Sequence, residues 1–570
     1  MDMILQIENL NVRYSIKGRY VDAVKNTNLT VCEGEHLGII GESGSGKSSL
    51  AAALMRCKSV NREDTGKILY RGRDLLAMSD KEFDKFRWKE IAMVFQNSLD
   101  ILNPVMPIGE QIGECVKKYL GLKQKDRFAR VAEVLRQVSL EEDTAALLPH
   151  QLSGGMRQRV LIAMAISCKP RLLIADEPTS AVDDENKKEI IELLLRLRRE
   201  LDLTLVIVSH EIQTVAASVN KVAVMYGGSI MEYASVKEII NHPRHSYTQG
   251  LLSSSPALNP YRDLWGIAED DGSTIREGCP FYGRCANRMD ICQSAIPALQ
   301  PLQESNEHLI ACHAGGIQPI LRISHVNKSF EDGKRTVCAC NDCTFDVCYG
   351  EVVSVLGKSG AGKSTLASIC SGMELPDSGE VTFMDQPLTP GTATARKHGI
   401  QIIIQDPFST VNGRMSVFSA ISEPLRICKE TGNLEAVVAQ MLRDVGLPTD
   451  KDFMNRACNT LSGGQRQRVS IARALSMEPR LLIADEICSM LDSSTQANLL
   501  RLLKSLQQRK GLTLLFVTHD AMISRKIADK VIRIDNGILT EVDDSVVSVS
   551  NPHDADSHDH SHNIQSQPLR

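Results

Sequence analysis

Short apolar segments, each followed by a loop rich in glycine or by acidic residues, recur along the chain and predict buried β-strands. The segment HLGII at 36–40 leads into the glycine-rich turn GESGSG, after which KSSL has the pattern of a helix start. The segment LLIAD at 172–176 has four apolar residues before Asp176 and Glu177, which predicts a buried strand whose tip carries carboxylates. Strands of this kind interleaved with helices predict an α/β fold.

The same segments occur twice, which indicates an internal duplication. The repeated segments are GESGSGKSSL at 41–50 with GKSGAGKSTL at 357–366, LSGGMRQRV at 152–160 with LSGGQRQRV at 461–469, and RLLIADE at 171–177 with RLLIADE at 480–486. Ser153 and Ser462 are 309 residues apart (462 − 153), whereas Lys47 and Lys363 are 316 apart (363 − 47). An insertion or deletion in a surface loop explains the difference of seven (316 − 309).

The duplication predicts two homologous domains, at residues 1–235 and 317–545. Between them, residues 236–316 are rich in Pro, Gly and Cys and have no counterpart after the second half. Residues 546–570 are polar and biased in composition, which predicts a disordered tail. The tail could bind a divalent metal weakly, although a solvated segment is the simpler explanation for its histidines, His553, His558, His560 and His562.

The overall composition is that of an ordinary globular protein, with 42% hydrophobic and 24% charged residues. A net charge of −5 and an aromatic content of 4% disfavour the basic stripe and the stacking surface of a nucleic-acid binder. No apolar run reaches the roughly 18 to 20 residues of a membrane span. The start MDMILQIENL lacks the basic segment of a secretory signal. We therefore expect a cytoplasmic chain that meets membranes only through partner subunits.

The glycine-rich loops have the spacing and context of a phosphate-binding loop, Gly-x-x-x-x-Gly-Lys-Ser between a strand and a helix. In the first loop, Gly41, Gly44 and Gly46 let backbone N–H groups face a phosphate, Lys47 places a positive charge on it, and Ser48 offers a hydroxyl to Mg²⁺. The second loop has the corresponding residues Gly357, Gly360, Gly362, Lys363 and Ser364. The neighbouring hydroxyl residues expected to line the two sites are Ser49 and Thr365.

The two acids that follow each LLIA segment predict the rest of a hydrolytic site. Asp176 and Asp485 would help the loop serines hold Mg²⁺. Glu177 and Glu486 would orient or polarise the attacking water, provided that they lie within hydrogen-bond reach of it.

Both halves resemble ATPases of the ABC (ATP-binding cassette) superfamily, because each carries its signature loop. These loops are Ser153-Gly154-Gly155 and Ser462-Gly463-Gly464. The resemblance implies that each half has a RecA-like α/β core with an antiparallel β subdomain and a helical subdomain. It also implies that ATP is held between the two halves, with Lys47 facing Ser462 and Lys363 facing Ser153. A serine hydroxyl, two glycine amides and a helix start suit such an anion site.

Further motifs of the family appear in matched pairs. The resemblance implies that Gln96 and Gln405 contact Mg²⁺, water and the membrane subunits, that His210 and His519 contact the γ-phosphate, and that adenine stacks on Tyr14 and Phe330. The second half departs from the usual pattern at Ile487, Cys488 and Ile404, the last of which replaces the Phe95 of the first half. No catalytic group is lost, so we expect both sites to hydrolyse ATP, at rates that need not be equal.

The segment between the halves resembles the C-terminal extension of dipeptide, oligopeptide and nickel importer ATPases, through HPRHSYTQGLLSSSP at 242–256 and GCPFYGRC at 278–285. Its cysteines Cys279, Cys285, Cys292 and Cys312 are spaced C-x5-C-x6-C-x19-C, which matches neither zinc ribbons nor ferredoxins. Four thiolates suit zinc or an iron–sulfur cluster, with unliganded cysteines as the alternative, and the resemblance favours a structural or regulatory [4Fe–4S] cluster. We interpret a second group as coincidental: Cys338, Cys340, Cys343 and Cys348.

The sequence therefore predicts an ATP-hydrolysing importer subunit at the cytoplasmic face of the cell membrane. Its expected partners are two integral-membrane permease subunits and an extracytoplasmic substrate-binding protein, with no nucleic acid. The substrate class, peptide or nickel, stays open. A twin-cassette ATPase acting on ribosomes or nucleic acid is the alternative. The cysteine-containing segment disfavours it, as does the lack of a long charged linker.

Overall fold

The structure is a computed structural model that describes residues 2–542 apart from 58–60, 97–100, 181, 257, 260–265, 268–276, 333–334, 390–396, 406–410, 431 and 490. The predicted tail at 546–570, with its histidines, lies outside these described residues. The described residues form two compact units, one within 2–318 with 508–511 and one within 319–507 with 512–542. The domain borders inferred from the sequence stay predictions.

The first unit contains both parallel and antiparallel strands. Its strands are β1 Met3–Ile16, β2 Arg19–Cys32, β3 His36–Ile40, β4 Arg62–Tyr70, β5 Arg73–Asp74, β6 Ile91–Val94, β7 Leu172–Asp176, β8 Thr204–Ser209, β9 Lys221–Tyr226, β10 Ser229–Ser235, β11 Gln300–Leu302 and β12 Ser305–Ile310. Its helices are α1 Lys47–Leu54, α2 Asp80–Phe86, α3 Ile108–Leu120, α4 Gln124–Gln137, α5 Gly154–Ile166, α6 Asp184–Leu201, α7 Ile212–Ala216, α8 Val236–Asn241, α9 Ser246–Ser253 and α10 Ile291–Ser294.

The strands of the second unit follow the order of the first ten strands of the first unit. They are β13 Pro319–Asp332, β14 Arg335–Cys348, β15 Val352–Leu356, β16 Ser378–Phe383, β17 Gln386–Pro387, β18 Ile400–Ile403, β19 Leu481–Asp485, β20 Thr513–Thr518, β21 Lys530–Asp535 and β22 Ile538–Glu541. The helices are α11 Lys363–Ser371, α12 Val417–Ile427, α13 Leu434–Asp444, α14 Lys451–Asn455, α15 Gly463–Leu475, α16 Ser493–Lys510 and α17 Ala521–Ile527.

A central sheet forms the core of the first unit, in the order β11-β12-β10-β9-β3-β8-β7-β6. The strands β6, β7, β8, β3 and β9 are parallel, and β10, β12 and β11 continue the sheet antiparallel. All five residues of β7 and all six of β8 are buried, as expected for strands covered on both faces. This sheet therefore accounts for the uninterrupted apolar runs in the sequence.

A separate antiparallel sheet in the order β2-β1-β4-β5 covers α1, and the helices α3, α4 and α5 form a helical part. In β1 the buried residues at 4–5, 7, 10 and 12 follow a broken alternation, because register shifts interrupt the pairing with β2. The expected α/β core with an antiparallel β part and a helical part is therefore confirmed.

The second unit has the same two kinds of sheet, in the orders β14-β13-β16-β17 and β18-β19-β20-β15-β21-β22. Here β18, β19, β20, β15 and β21 are parallel, and β22 closes the sheet antiparallel. Within the described ranges, no helix of either unit is long and apolar enough to cross a membrane.

Parallel neighbours end at the same edge of a sheet, and ligands bind there in open α/β folds. In the first unit the phosphate loop follows β3, Asp176 ends β7, His210 follows β8, and Gln96 follows β6. The order β3-β8-β7-β6 thus places four distant motifs side by side, and the order β15-β20-β19-β18 does the same in the second unit.

Candidate functional site

The first phosphate loop connects β3 to α1 and turns its lysine inward. Lys47 is buried, and its Nζ donates hydrogen bonds of 2.8 Å to the carbonyl oxygens of Gly41 and Glu42. Gly46 has φ 101°, and a Cβ atom there would lie 2.2 Å from a backbone carbonyl oxygen of β2, so only glycine fits. The remaining predicted residues of the loop are half-buried or exposed: Gly44, Ser48 and Ser49.

Two carboxylates stand at the tip of β7 with different surroundings. Asp176 is buried, and its Oδ1 accepts a hydrogen bond of 3.2 Å from Ser48 Oγ. Burial raises the pKa of Asp176 to about 6, against the effect of that hydrogen bond. Burial also lowers the pKa of Lys47, while the neighbouring charges of Glu177 and Asp176 oppose the shift.

Glu177 is held in an unusual backbone conformation, with φ 46°. This left-handed region costs a non-glycine residue on the order of 1–2 kcal/mol. Its N–H donates to Val208 O of the neighbouring strand β8 at 2.8 Å, which fixes the turn. The sharp turn directs the carboxylate away from β7 toward the ends of β6 and β8.

Three side chains meet at Glu177. Gln96 Nε2 donates to its Oε2 at 2.6 Å, and His210 Nδ1 lies 2.9 Å from its Oε1. Ser180 Oγ donates to the carbonyl oxygens of Glu177 and Gln96, at 3.1 and 3.3 Å. The structure therefore brings together the predicted glutamine, glutamate and histidine of the first half.

The second unit assembles the same group of side chains. Lys363 is buried, and its Nζ lies 3.1 Å from Glu486 Oε1 and donates to the carbonyl oxygen of Lys358 at 2.8 Å. Gln405 Nε2 donates to Glu486 Oε2 at 3.2 Å, and His519 Nδ1 lies 3.7 Å from the same oxygen. Glu486 has φ 47°, matching Glu177.

The second phosphate loop also keeps its glycine requirement. Gly362 has φ 103°, and a Cβ atom there would lie 2.0 Å from Ala339 O. The remaining predicted loop residues range from buried to exposed: Gly357, Gly360, Ser364 and Thr365. Asp485 is buried at the end of β19, and burial raises its pKa, while the neighbouring Ser364 hydroxyl opposes the shift.

The side chains at both strand tips fit a magnesium ion. Hydroxyl and carboxylate oxygens are its preferred ligands, and Ser48 with Asp176 supplies one of each within 3.2 Å. In the second unit, Asp485 Oδ1 is buried without a hydrogen-bond partner among the described residues. An orphaned buried carboxylate oxygen is costly, and a cation would satisfy it.

The signature loops form exposed helix starts. Ser153 caps α5 by accepting the N–H of Met156 at 3.2 Å, and Ser462 caps α15 by accepting that of Gln465 at 3.3 Å. Both serines are exposed, as are Gly154 and Gly463, while Gly155 and Gly464 are half-buried. In the parts of the chain that the structure describes, neither loop hydrogen-bonds to the phosphate loop of its own unit. The structure therefore does not bring these two predicted elements together within one unit.

Comparison with known proteins identifies the family. Residues 24–180 and 340–489 match the family model for the ABC transporter, and residues 231–292 match that for the oligopeptide/dipeptide transporter C-terminal region. The chain belongs to the ABC transporter family. The predicted pair of ABC cassettes and the importer-type extension are confirmed, and the chain is an ATPase coupled to transport.

Relatives extend over almost the whole chain. The glutathione import ATP-binding protein GsiA of Pectobacterium atrosepticum is 36% identical over 566 residues, covering 95% of this chain and 86% of that protein. GsiA of Salmonella typhimurium is 35% identical over 571 residues, covering 96% and 87%. A dimeric structure of the cassette MJ0796 with ADP and Pi is 31% identical over 41% of this chain and 98% of its own, with a TM-score of 0.37.

The two aromatic residues predicted to stack on adenine lie on the antiparallel sheets of their ABC cassettes. Tyr14 in β1 is half-buried and packs against the core beneath that sheet. Phe330 in β13 is 43% exposed, with the Lys328 ammonium 5.4 Å from its ring centroid. An exposed ring can accept a stacked base, so their assignment stays a prediction.

The four cysteines of the extension lie close enough for their charges to interact. Burial raises the pKa of Cys279 to about 11 and that of Cys285 to about 12, with contributions from Cys292 and Cys312. Over the described residues, no group of three or more His, Cys, Asp or Glu side chains is arranged to hold a metal ion. The predicted iron–sulfur cluster therefore has no support from the structure and stays a prediction.

Two serines at corresponding positions of the repeat strengthen the ABC sites. Ser489 Oγ accepts from Gln405 at 3.2 Å, much as Ser180 ties Gln96 to Glu177 in the first site. The repeat signals both serines, which are 309 residues apart (489 − 180).

The sequence analysis missed two contributors to the first site. Tyr247 and Arg284 of the extension contact the first phosphate loop at Glu42. No repeated motif marks them, because residues 546–570, which follow the second half, do not repeat the sequence of the extension.

Proposed function

We propose that the chain powers an ABC importer of small peptides by hydrolysing ATP at two sites. The observation that carries the proposal is the convergence of Gln96, His210 and Ser180 on Glu177 beside a buried lysine loop, repeated in the second unit. The importer assignment is supported by the match of 231–292 to the oligopeptide/dipeptide transporter extension and by the GsiA relatives.

In the proposed mechanism, Lys47 leaves the loop carbonyls that it now contacts and binds the β- and γ-phosphates. Ser48 and Asp176 would hold Mg²⁺, which supplies charge neutralisation at the phosphate oxygens. Glu177 orients the attacking water and takes up its proton, while Gln96 positions that water. His210, on the other carboxylate oxygen, is placed to reach the γ-phosphate. The second site uses the corresponding residues, Lys363, Ser364, Asp485, Glu486, Gln405 and His519.

In this proposal, the binding site of each nucleotide is completed by the signature loop of the opposite cassette. Ser462, Gly463 and Gly464 would cap the ATP on Lys47, and Ser153, Gly154 and Gly155 the ATP on Lys363. Both helix starts are exposed, which supports this assignment, because a buried helix start could not contact the phosphates of an ATP bound to the other cassette. ATP binding would bring the cassettes together, and hydrolysis would release them.

Membrane permease subunits are the partners through which an ABC ATPase acts, and a surface beside Gln96 suits them. A cavity of about 460 Å³ is lined in part by Phe83, Trp88 and Phe95. The charged residues Arg56, Asp80, Asp84 and Arg87 line the rest of it together with Met55, Cys57 and Met93. A hollow that combines aromatic and charged side chains is the kind of surface that accepts an amphipathic partner helix.

We infer that the chain lies at the cytoplasmic face of the cell membrane, and that an extracytoplasmic binding protein delivers the solute. The relatives named for glutathione import make a small thiol peptide the first substrate to try. Uptake of labelled glutathione, a dipeptide and nickel should be compared in cells with and without Glu177→Gln/Glu486→Gln. Loss of peptide uptake is expected. Unchanged uptake of all three would contradict the importer assignment.

Co-purification separates the importer from a twin-cassette ATPase of ribosomes. Tagged full-length chain is expected to bring down integral-membrane subunits from detergent extracts, and Phe95→Asp is expected to release them. Phe128→Asp, the same change at another exposed phenylalanine of the first unit, is the matched control. Co-sedimentation with ribosomes without membrane subunits would reject the proposal.

This proposal does not depend on the iron–sulfur cluster or on the nickel transport that the sequence suggested. Iron and acid-labile sulfide in anaerobically purified protein, compared with the Cys279→Ser/Cys285→Ser variant, would test the first. Nickel in the uptake assay above would test the second.

A further inference from the structure

The cysteine-containing extension reaches the first phosphate loop at Glu42. Arg284 ends a short 3-10 turn directly before Cys285, and its guanidinium pairs with both carboxylate oxygens of Glu42, at 2.7 and 3.2 Å. The backbone N–H of Glu42 donates to Tyr247 Oη of α9 at 2.9 Å. Residues of the extension therefore bind both the side chain and the main chain of one loop residue.

An aromatic cluster fixes this contact. Tyr226, at the end of β9, packs against Tyr247 with ring centroids 4.7 Å apart and against Phe281 at 5.4 Å. The Arg284 guanidinium lies 5.5 Å from the Tyr226 ring centroid, and its side chain is only 14% exposed. Bidentate pairing of a packed arginine gives a fixed geometry, unlike a mobile surface ion pair.

The charge of Glu42 would oppose nucleotide binding if it were left alone. Its carboxylate is near enough to Lys47 to act on the pKa of that lysine, so it stands close to the place where the phosphates bind. A carboxylate near a triphosphate is repulsive, and Arg284 neutralises it.

The second phosphate loop has no carboxylate at the corresponding position. At the position of Glu42 it has Lys358, directly after Gly357, so this loop brings a positive charge of its own. Residues 546–570, which follow the second half, do not repeat the sequence of residues 236–316. The chain thus offers an internal control for the role of Arg284.

We propose that Arg284 is a positioning residue of the first ATP site, acting through Glu42, so that nucleotide affinity at this site alone depends on the extension. The proposal rests on the assignment of Lys47 and Lys363 to two ATP sites. It predicts that the two sites differ in their response to changes in the extension.

The test is site-resolved labelling of the full-length chain with 8-azido-ATP and Mg²⁺, with labelled peptides from each half quantified over a range of nucleotide concentrations. Arg284→Gln is expected to weaken labelling of the first half by about three- to tenfold and to leave the second half unchanged. Arg284→Lys should restore part of the affinity. The matched control is Arg244→Gln, which removes an arginine of the extension that pairs with exposed Glu304.

A double-mutant cycle decides whether the effect passes through Glu42. In the Glu42→Gln background, Arg284→Gln should have no further effect on first-half affinity. Steady-state hydrolysis should show a raised KM for ATP with kcat nearly unchanged, whereas misfolding would lower kcat.

Three outcomes would overturn the proposal: equal weakening of both halves, an Arg284→Gln effect no larger than that of Arg244→Gln, or a full effect in the Glu42→Gln background. If Arg284→Gln does not fold, Arg284→Lys in the two Glu42 backgrounds gives the same comparison. Absence of label from the first half of the unmodified chain would instead reject the ATP-site assignment itself.

Discussion

At the scale of single residues, the most informative feature is the left-handed backbone of Glu177 and Glu486, with φ of 46° and 47°. Neither is glycine, so both positions carry strain that an unconstrained turn would release. The hydrogen bonds from Gln96 to Glu177 and from Gln405 to Glu486 show what the conformation achieves, because each carboxylate reaches the end of a neighbouring strand.

Replacing these carboxylates should separate binding from chemistry. Glu177→Gln and Glu486→Gln each keep the shape of the side chain and remove the proton acceptor, so ATP hydrolysis should fall while nucleotide binding persists. We expect the double variant to lose at least about a hundredfold in the rate of phosphate release. Glu200→Gln, on the exposed end of α6, is the control. Single variants with the unmodified rate would show that the water-orienting acids lie elsewhere.

At the scale of elements, the helix caps at Ser153 and Ser462 combine a structural and a proposed binding role. Ser462 forms a capping box with Gln465, since each side chain accepts the backbone N–H of the other residue. A cap can be replaced without loss of the helix, provided that the new side chain accepts a hydrogen bond.

Ser462→Asp should separate the two roles. Aspartate is an equally good cap, so the melting temperature should stay within about 2 °C, but its charge should repel the phosphate. We expect hydrolysis to fall at least about tenfold. Ser416→Asp, at the cap of α12, is the matched control without a proposed nucleotide contact. Equal effects of the two substitutions on hydrolysis would contradict the signature-loop assignment.

The cap of α9 predicts a dependence of stability on pH. His245 is buried, and its Nδ1 accepts the backbone N–H of Tyr247 at 3.0 Å. The backbone N–H of His245 donates to the buried carboxylate of Glu232, which also binds His308. Burial lowers the pKa of His245 from 6.5 to about 4, with Glu232 opposing the shift. Between those pH values the unfolded state binds more protons, so stability present above pH 6.5 is lost as pH falls toward 4.

The expected loss is on the order of 3 kcal/mol in the free energy of unfolding of the first unit. Calorimetry at pH 7.5, 6 and 5 would follow it. His245→Asn keeps a hydrogen-bond acceptor at the cap and should flatten this part of the pH profile. A profile identical to that of the unmodified protein would assign the pH dependence to other groups.

Elements also show how far the sequence could be used for prediction. The uninterrupted apolar runs of β7 and β19 predicted buried strands with acids at their tips, because a strand that is buried on both faces is apolar at successive positions. The hydrogen bond between Gln96 and Glu177 follows from strand order, which no local pattern contains. The contact of Arg284 with Glu42 joins residues 242 apart (284 − 42), and neither the spacing of a motif nor the internal repeat predicts it.

At the scale of the whole molecule, the proposed sharing of each ATP between cassettes makes a distinct prediction. Ser462→Ala should weaken 8-azido-ATP labelling of the first half, and Ser153→Ala that of the second half. Combining Ser462→Ala with Lys47→Ala should leave second-half labelling near its original level, since both changes affect one site. If Ser462→Ala weakens labelling only of the second half, which contains Ser462, each cassette binds ATP without the other.

The hairpin of β11 and β12 decides where the chain can be divided. Residues 309–310 of β12 pair with Tyr233 and Glu232 of β10, so a strand from the middle segment completes the first central sheet. A gene fragment ending near residue 235 would leave β10 as a bare hydrogen-bonding edge, which favours inclusion bodies over a functional half-transporter subunit. Separately expressed halves should therefore be divided near residue 318, with the cysteine-containing segment kept on the amino-terminal piece.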